Sequence, residues 1–336
     1  MLTLTNRDSG LFGGSSGAGP LPPSFFDGQN NNMEAIDLFA GAGGFSEGAR
    51  LAGVRVKWAA NHWRQAVEFH GQNHPETEHS CQDLQQADWR AVPRHDVMLA
   101  SPACQGHSPA RGKERPHHDA LRSTAWAVVA CAEYHRSPVV LVENVPEFRR
   151  WLLYPAWCDA MHRLGYAVAP HLVDSADHGV PQHRERLFLV CTQTKHPLHL
   201  DLPKRQHRPI ADVIEWDAHE WSQIDRPGRS AKTLQRVAAG RAEFGARFVA
   251  PYYSSGSGLT GRSIHRPIGT ITTRDRWAVV DGDRMRMLQV PEAKAAMGFP
   301  ARYALPDTHK DALFMLGNAV CPPVAADLLT TIRAAA

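Results

Sequence analysis

In Leu99–Gly112, L-A-S-P-A-C-Q-G-H-S-P-A-R-G, a cysteine stands among small residues, prolines and a glycine. Buried structural cysteines sit in apolar strands or helices. Cys104 instead follows an apolar run and is succeeded by polar and turn-forming residues, the placement of a thiol that acts as a nucleophile once its pKa is lowered. A small apolar plug is the plainer role for any single cysteine, so its company decides. In V-V-L-V-E-N-V-P, Val139–Pro146, four apolar residues run into Glu143 and Asn144. A carboxylate at the end of a buried strand is costly unless it is paired or functional, the alternative being a cap on a following helix. Q-H-R-E-R-L-F-L-V, from Gln182, sets Arg184 and Arg186 on one face at the entrance of another strand, placed to hold an anion, to steer a thiolate or to be a solvated pair.

A fourth stretch, D-L-F-A-G-A-G-G (Asp37–Gly44), puts glycines after a strand, where a ligand can approach the backbone closely, as dinucleotides and S-adenosylmethionine both do. It is not the G-x-G-x-x-G fingerprint: Gly41 and Gly43 fit, but Ser46 holds the third position. No acid follows about twenty residues on, where the second strand ends in Asn61, and this disfavours a nicotinamide cofactor.

The elements needed to position these residues alternate. Apolar runs predict strands over Ala35–Phe39, Val54–Ala60, Asp96–Ala100, Val139–Val142, Tyr166–Asp174 and Arg186–Thr192. Helices are predicted over Phe45–Ala52, Arg64–Asn73 and Ser123–His135. This order predicts an α/β fold with a doubly wound, mostly parallel sheet whose ligands gather at the carboxyl ends of the strands. Residues 1–32, rich in Gly, Ser, Pro and Asn, are expected to form a disordered tail. The main part of the large domain is expected over 33–192, and a smaller irregular domain over 193–276. Residues 277–336 should return to the first domain, with a turn entering a helix in G-N-A-V-C-P-P-V-A-A-D-L-L (Gly317–Leu329).

Composition narrows the partners. The 336 residues are 43% hydrophobic and 21% charged, ordinary for a globular chain. No apolar run approaches the roughly 18 residues that span a bilayer, and the start lacks a secretory signature, so no membrane partner and a cytoplasmic, nucleoid-associated protein are expected. Six dispersed cysteines without a C-x-x-C pair argue against a disulfide framework and a zinc ribbon, and the nineteen histidines form no H-E-x-x-H, so no metal is expected. Net charge is +3, yet Lys195–Arg276 holds fourteen Lys/Arg against eight Asp/Glu. A basic segment in an otherwise near-neutral chain suits a polyanion. Arginine outnumbers lysine throughout, 30 to 7, so coding composition is the competing explanation.

Taken together these stretches resemble the DNA (cytosine-5) methyltransferases, in order from Ala35 to about Ile332. D-L-F-A-G-A-G-G is similar to the family's cofactor loop, P-x-C-Q to its nucleophile loop, E-N-V to its catalytic glutamate motif and Q-H-R-E-R to its paired-arginine motif. R-P-I-G-T-I-T and G-N-A-V-x-P-P-V-A resemble the motif beside its recognition domain and its closing cofactor motif. The resemblance implies a class I S-adenosylmethionine-dependent fold and an enzyme that methylates C5 of cytosine in double-stranded DNA, in the manner of restriction-modification systems. Catalysis would fall to Cys104, Glu143, Asn144, Arg184 and Arg186. S-adenosylmethionine would be held by Asp37, Phe39, Gly41, Gly43, Gly44, Asn61, Asp83 and Asn318. The target base would be flipped out, with Gln105, Ser108 and Arg111 on the DNA and residues 193–276 as a target-recognition domain, the chain acting as a monomer. Two positions depart from the family pattern: Ala103 stands where it has proline, with Pro102 one residue earlier, and Asn61 where it has an acid. Methylation of cytosine in structured RNA and a non-catalytic DNA-binding relative stay open as alternatives.

Overall fold

The computed structural model describes residues 33–103, 123–252 and 261–335. The chain opens with strand β1 (Glu34–Leu38), helix α1 (Gly44–Leu51), β2 (Arg55–Asn61), α2 (Arg64–Asn73), β3 (Glu78–Cys81) and β4 (Val97–Ala100). It continues through α3 (Ala125–His135), β5 (Val139–Asn144), α4 (Tyr154–Arg163), β6 (Ala167–Asp174) and β7 (Glu185–Thr192). These seven strands form one sheet in the order β3-β2-β1-β4-β5-β7-β6. Pairing is parallel from β3 to β5, and β7 runs antiparallel between β5 and β6.

The expected strands are present with shifted ends. Strand β1 stops at Leu38 because Phe39 takes a left-handed φ of 61°. Strand β5 runs two residues past Val142, since Glu143 and Asn144 still pair with Phe188 and Leu187. Strand β3 was not foreseen: E-H-S-C is polar because it is the sheet's outer edge and buries neither face fully.

Side-chain alternation along the central strands sorts residues onto two cores. Ala35, Val97, Leu99, Val139, Leu141, Phe188 and Val190 face one core, shared with α1. Ile36, Leu38, Met98, Ala100, Val140, Val142, Leu187 and Leu189 face the other, shared with α3 and α4. The period of two then fixes the polar residues. Asp37, Glu143 and Arg186 belong to the first face, Asn144 to the second.

Beyond Thr192 the structure is more regular than the sequence suggests. Strands β8 (Ser222–Gln223), β9 (Arg247–Pro251), β10 (Arg262–Ser263), β11 (Trp277–Asp281) and β12 (Arg284–Met287) build an antiparallel sheet in the order β10-β9-β11-β12-β8. This sheet extends past residue 276, where the basic segment was expected to end. Helix α5 (Ala231–Phe244), also unforeseen, starts at Ser230, whose hydroxyl accepts the Thr233 N–H, and buries Thr233, Val237 and Gly240. Its buried stripe holds one large apolar residue, Val237, between Thr233 and Gly240, so the face gives little helical patterning to read.

The chain ends with α6 (Val290–Ala296), α7 (His309–Gly317) and α8 (Pro322–Ala335), the last being the helix expected after Gly317-Asn318. His309–Ala335 is long and apolar enough to cross a bilayer by length and composition, although no run of that length was expected. It is broken between α7 and α8 and is 72% buried inside the protein, as a core segment is.

Candidate active site

The carboxyl ends of β1, β2, β3, β4 and β5 lie side by side, so the turns that follow them share one edge. The edge is tied together by backbone: Ala40 N–H donates to Ala60 O, Gln82 N–H to Asn61 O, and Ser101 N–H to Leu38 O. Its two halves carry different chemistry.

On the β4–β5–β7 half, Glu143 is 6% exposed and its Oε1 lies 3.1 Å from Arg186 Nε. Burial pushes the Glu143 carboxyl up from the usual range, opposed by the guanidinium groups of Arg186 and Arg184. The result is an acid that keeps its proton more readily than a surface glutamate while a fixed cation stands beside it. Asn144, on the opposite face, donates from Nδ2 to Pro102 O at 3.1 Å and accepts the Val145 N–H on Oδ1 at 2.9 Å. It therefore fastens the end of β5 to the chain two residues before Cys104.

Cys104 itself, with Gln105, Ser108 and Arg111, lies outside the described residues, but the approach to it is fixed twice. Besides the Pro102 anchor, Ala103 N–H donates to Thr124 Oγ1 at 3.2 Å, just ahead of α3. A proline at 103 would have no N–H to give. The alanine gains by hydrogen bonding part of the restraint that a proline ring would supply.

Arg184 has a different place from the one expected. It is 2% exposed, and its guanidinium donates to the carbonyls of Ile271, Gly317 and Ala319 at 3.1, 2.9 and 2.9 Å. The neighbouring Gln182 reaches the same stretch, its Oε1 accepting the Ile271 N–H at 2.7 Å. Arg184 thus ties the entrance of β7 to two other chain segments, at Ile271 and at Gly317–Ala319, and acts on Glu143 through its charge, whereas Arg186 touches the carboxylate.

On the β1–β2–β3 half, the glycines divide by surroundings. A Cβ on Gly43 would come 2.4 Å from the Tyr303 hydroxyl, and one on Gly44 2.0 Å from Val320 O, so these two are glycine because the protein packs against them. At Gly41 (φ 54°) the nearest atom among the described residues is Phe39 O at 3.7 Å, an ordinary contact, so the left-handed backbone is what asks for glycine there. Asp83 and Asn318 are exposed; Asp83 Oδ1 caps the Gln85 N–H, and Asn318 Nδ2 donates to Phe314 O. The Asn61 side-chain oxygen accepts the Trp63 N–H at 2.9 Å, so it serves the start of α2. Asp37 is fully buried and turned inward, accepting the Ser46 hydroxyl at 2.8 Å.

The C-5 cytosine-specific DNA methylase family model matches residues 33–334. The chain belongs to this family. A C-5 cytosine-specific DNA methylase is an enzyme that uses S-adenosylmethionine to methylate cytosine, and the chain is of that class. It is 26% identical over 323 residues to the Type II methyltransferase M.NlaX of Neisseria lactamica, covering 90% of this chain and 97% of that one. To M.HhaI of Haemophilus parahaemolyticus it is 25% identical over 312 residues, 88% and 92% of the two chains. Solved structures of DNMT2 from Spodoptera frugiperda and Dnmt2 from S. pombe share its fold, with TM-scores of 0.66 and 0.62 at 18% and 14% identity. Each comparison covers 90% of this chain and 99% of the other. The expected class I fold is therefore present in this methylase.

Sequence reasoning missed the polar network beneath the methylase's glycine turn. Ser46, which occupies the third glycine position of a nucleotide fingerprint, bonds Asp37 on one side and His70 Nε2 on the other at 3.0 Å. His70 Nδ1 in turn lies 2.8 Å from His79 Nε2. His74 Nε2 meets the Tyr303 hydroxyl at 3.1 Å, and that hydroxyl donates to Ala42 O in the turn itself. Burial holds His70, His74 and His79 below the ordinary imidazole range. The alternation of β1 was the available signal, since it places Asp37 on the same inward face as Ala35.

Burial raises the Asp37 carboxyl from 3.8 to about 7, with Ser46 opposing, and its Oδ1 has no partner among the described residues. The unfolded chain ionises this group near pH 4 while the folded one keeps it neutral. Its contribution therefore favours the fold at low pH and is lost as pH rises towards 7. Asp37→Asn, neutral at every pH, should gain stability relative to wild type between about pH 4 and 7, by up to the order of 4 kcal/mol. Urea unfolding of both proteins across that range measures the difference. A flat difference would mean that the folded carboxyl ionises normally.

Proposed function

We propose that the chain, as a monomer, methylates C5 of cytosine in double-stranded DNA through a transient bond between Cys104 and C6 of a base turned out of the helix. The observation that carries this is the buried Glu143–Arg186 pair, set beside a Pro102 carbonyl anchored two residues before Cys104. Cytosine C5 is a poor nucleophile. When the Cys104 thiolate forms an S–C6 bond, the electron pair of C5=C6 is displaced towards C5, and negative charge spreads onto the ring. A neutral Glu143 hydrogen-bonded at N3, with Arg186 holding it in place, stabilises that charge where it develops. Once C5 carries the methyl group, its proton leaves to a base. The C5–H electron pair then re-forms the double bond as the S–C6 bond breaks, and the thiolate is restored.

S-adenosylmethionine supplies an electrophilic sulfonium methyl. The edge suits it: among the described residues no side chain comes within 4 Å of a Cβ at Gly41, and the exposed Asp83 carboxylate retains acceptor capacity beyond its cap bond. Asn318 is exposed and bonds back to Phe314 O, and the Phe314 ring packs edge-on against the half-buried Trp63 at 5.5 Å. Phe39, Gly41, Asp83 and Asn318 would hold the cofactor. Gly43, Gly44, Asn61 and Asp37 would shape the turn from behind.

The test offers methyl-labelled S-adenosylmethionine with duplex genomic DNA and, separately, transfer RNA. Label recovered from DNA as 5-methylcytosine is expected. Label recovered only from RNA would move the substrate, and label in neither, with cofactor bound, would leave a non-catalytic DNA binder.

A further inference from the structure

Just past the Glu143–Asn144 end of β5 the chain makes a turn that the catalytic scheme does not use. Residues Pro146–Arg150 form a short helical turn, and R-R-W-L-L (Arg149–Leu153) leads into α4. The turn is firmly rooted. Phe148 is fully buried and packs against the rings of Trp151, Tyr154 and Trp157 at 5.5, 5.6 and 6.2 Å. Trp151 N–H donates to Phe148 O, and Tyr154 N–H to Trp151 O. From this rigid base Leu152 stands 89% exposed and Leu153 45% exposed, with Arg149 and Arg150 exposed alongside.

A single exposed leucine needs no explanation, but two adjacent ones on an ordered turn bring no packing gain to the fold. Two arginines lead into them, and the turn holds one acid, the half-buried Glu147. An exposed aliphatic side chain next to paired guanidinium groups suits a nucleic-acid backbone, the arginines meeting phosphates while the leucine presses against a base step or groove wall. The turn that carries the ridge is also continuous with the substrate edge, since one residue, Val145, separates Pro146 from Asn144.

We infer that Arg149, Arg150 and Leu152 form a second contact with duplex DNA beside the catalytic edge, two phosphate contacts and one apolar wedge. This rests on the proposed DNA substrate. The inference is tested with full-length protein by fluorescence anisotropy on a labelled duplex over a series of salt concentrations. Wild type is compared with the double variant Arg149→Ala/Arg150→Ala and with Leu152→Asn. The double variant should lower the slope of log affinity against log salt by about 1.8, at roughly 0.9 per lost phosphate contact. Leu152→Asn should weaken binding by about tenfold at every salt concentration with the slope unchanged. Both variants should keep wild-type S-adenosylmethionine binding by calorimetry, which separates lost contact from lost fold. Wild-type slope and affinity in the variants would overturn the ridge alone and assign it to some other partner. A wild-type chain that binds the cofactor and no duplex would overturn the ridge and the DNA substrate together.

Discussion

Duplex DNA carrying 5-fluorocytosine is expected to become covalently joined to the wild-type chain in the presence of S-adenosylmethionine, and to come away free from Cys104→Ser. The expectation follows from electron bookkeeping at C5. Release of the enzyme requires C5 to lose a proton so that the C5–H pair can rebuild the double bond and expel the thiolate. Fluorine cannot leave as a cation, so the S–C6 bond persists through denaturing electrophoresis. On ordinary DNA the same variant should lose methyl transfer by more than about a thousandfold while still binding cofactor. The two fixed points ahead of Cys104, the Asn144 bond to Pro102 and the Thr124 bond to Ala103, are what make an alanine at 103 compatible with this result. A covalent complex of equal yield in Cys104→Ser would place the nucleophile elsewhere.

The chemistry was legible in the sequence wherever it follows from one element. Glu143 could be placed at the end of a strand because four apolar residues lead into it, and the glycine turn after the first strand because A-G-A-G-G follows the apolar run, although Phe39 proved to belong to the turn and not to the strand. The structure adds a reason for Ser46, where a nucleotide fingerprint would have glycine: its hydroxyl is spent on a buried carboxylate. What could not be read were roles set by distant partners. Arg184 and Arg186 have the same parity and similar surroundings in sequence, yet Arg184 is claimed by carbonyls 87 to 135 residues away, while Arg186 pairs with Glu143. Glycines have the same ambiguity, since Gly43 and Gly44 are required by Tyr303 and Val320, far along the chain, whereas Gly41 meets a local carbonyl, that of Phe39, among the described residues. The second sheet was missed because its strands are short and interrupted. Helix α5 could have been found from Ser230 at its start and Gly245 at its end.

Glu143→Gln should lower kcat by about a hundred- to ten-thousandfold while leaving the KM for DNA and for S-adenosylmethionine within a fewfold of wild type. Glutamine has nearly the same shape, and its carbonyl can still accept from Arg186, so the buried guanidinium keeps a partner and the fold should survive. What is lost is a proton donor that responds to the ring. The wild-type carboxyl is held up by burial against the pull of Arg186 and Arg184, so its neutral form persists further towards neutral pH than a surface glutamate would allow. As pH rises, wild-type activity therefore gains from thiolate formation at Cys104 and loses from ionisation of Glu143. The variant has only the first dependence. Its residual activity should keep climbing with pH after wild type has turned over, and the ratio of the two rates should narrow on the alkaline side. A kcat for Glu143→Gln within tenfold of wild type, or a ratio that does not change with pH, would mean that the Glu143–Arg186 pair holds the end of β5 in place and that the charge on the ring is met by another group.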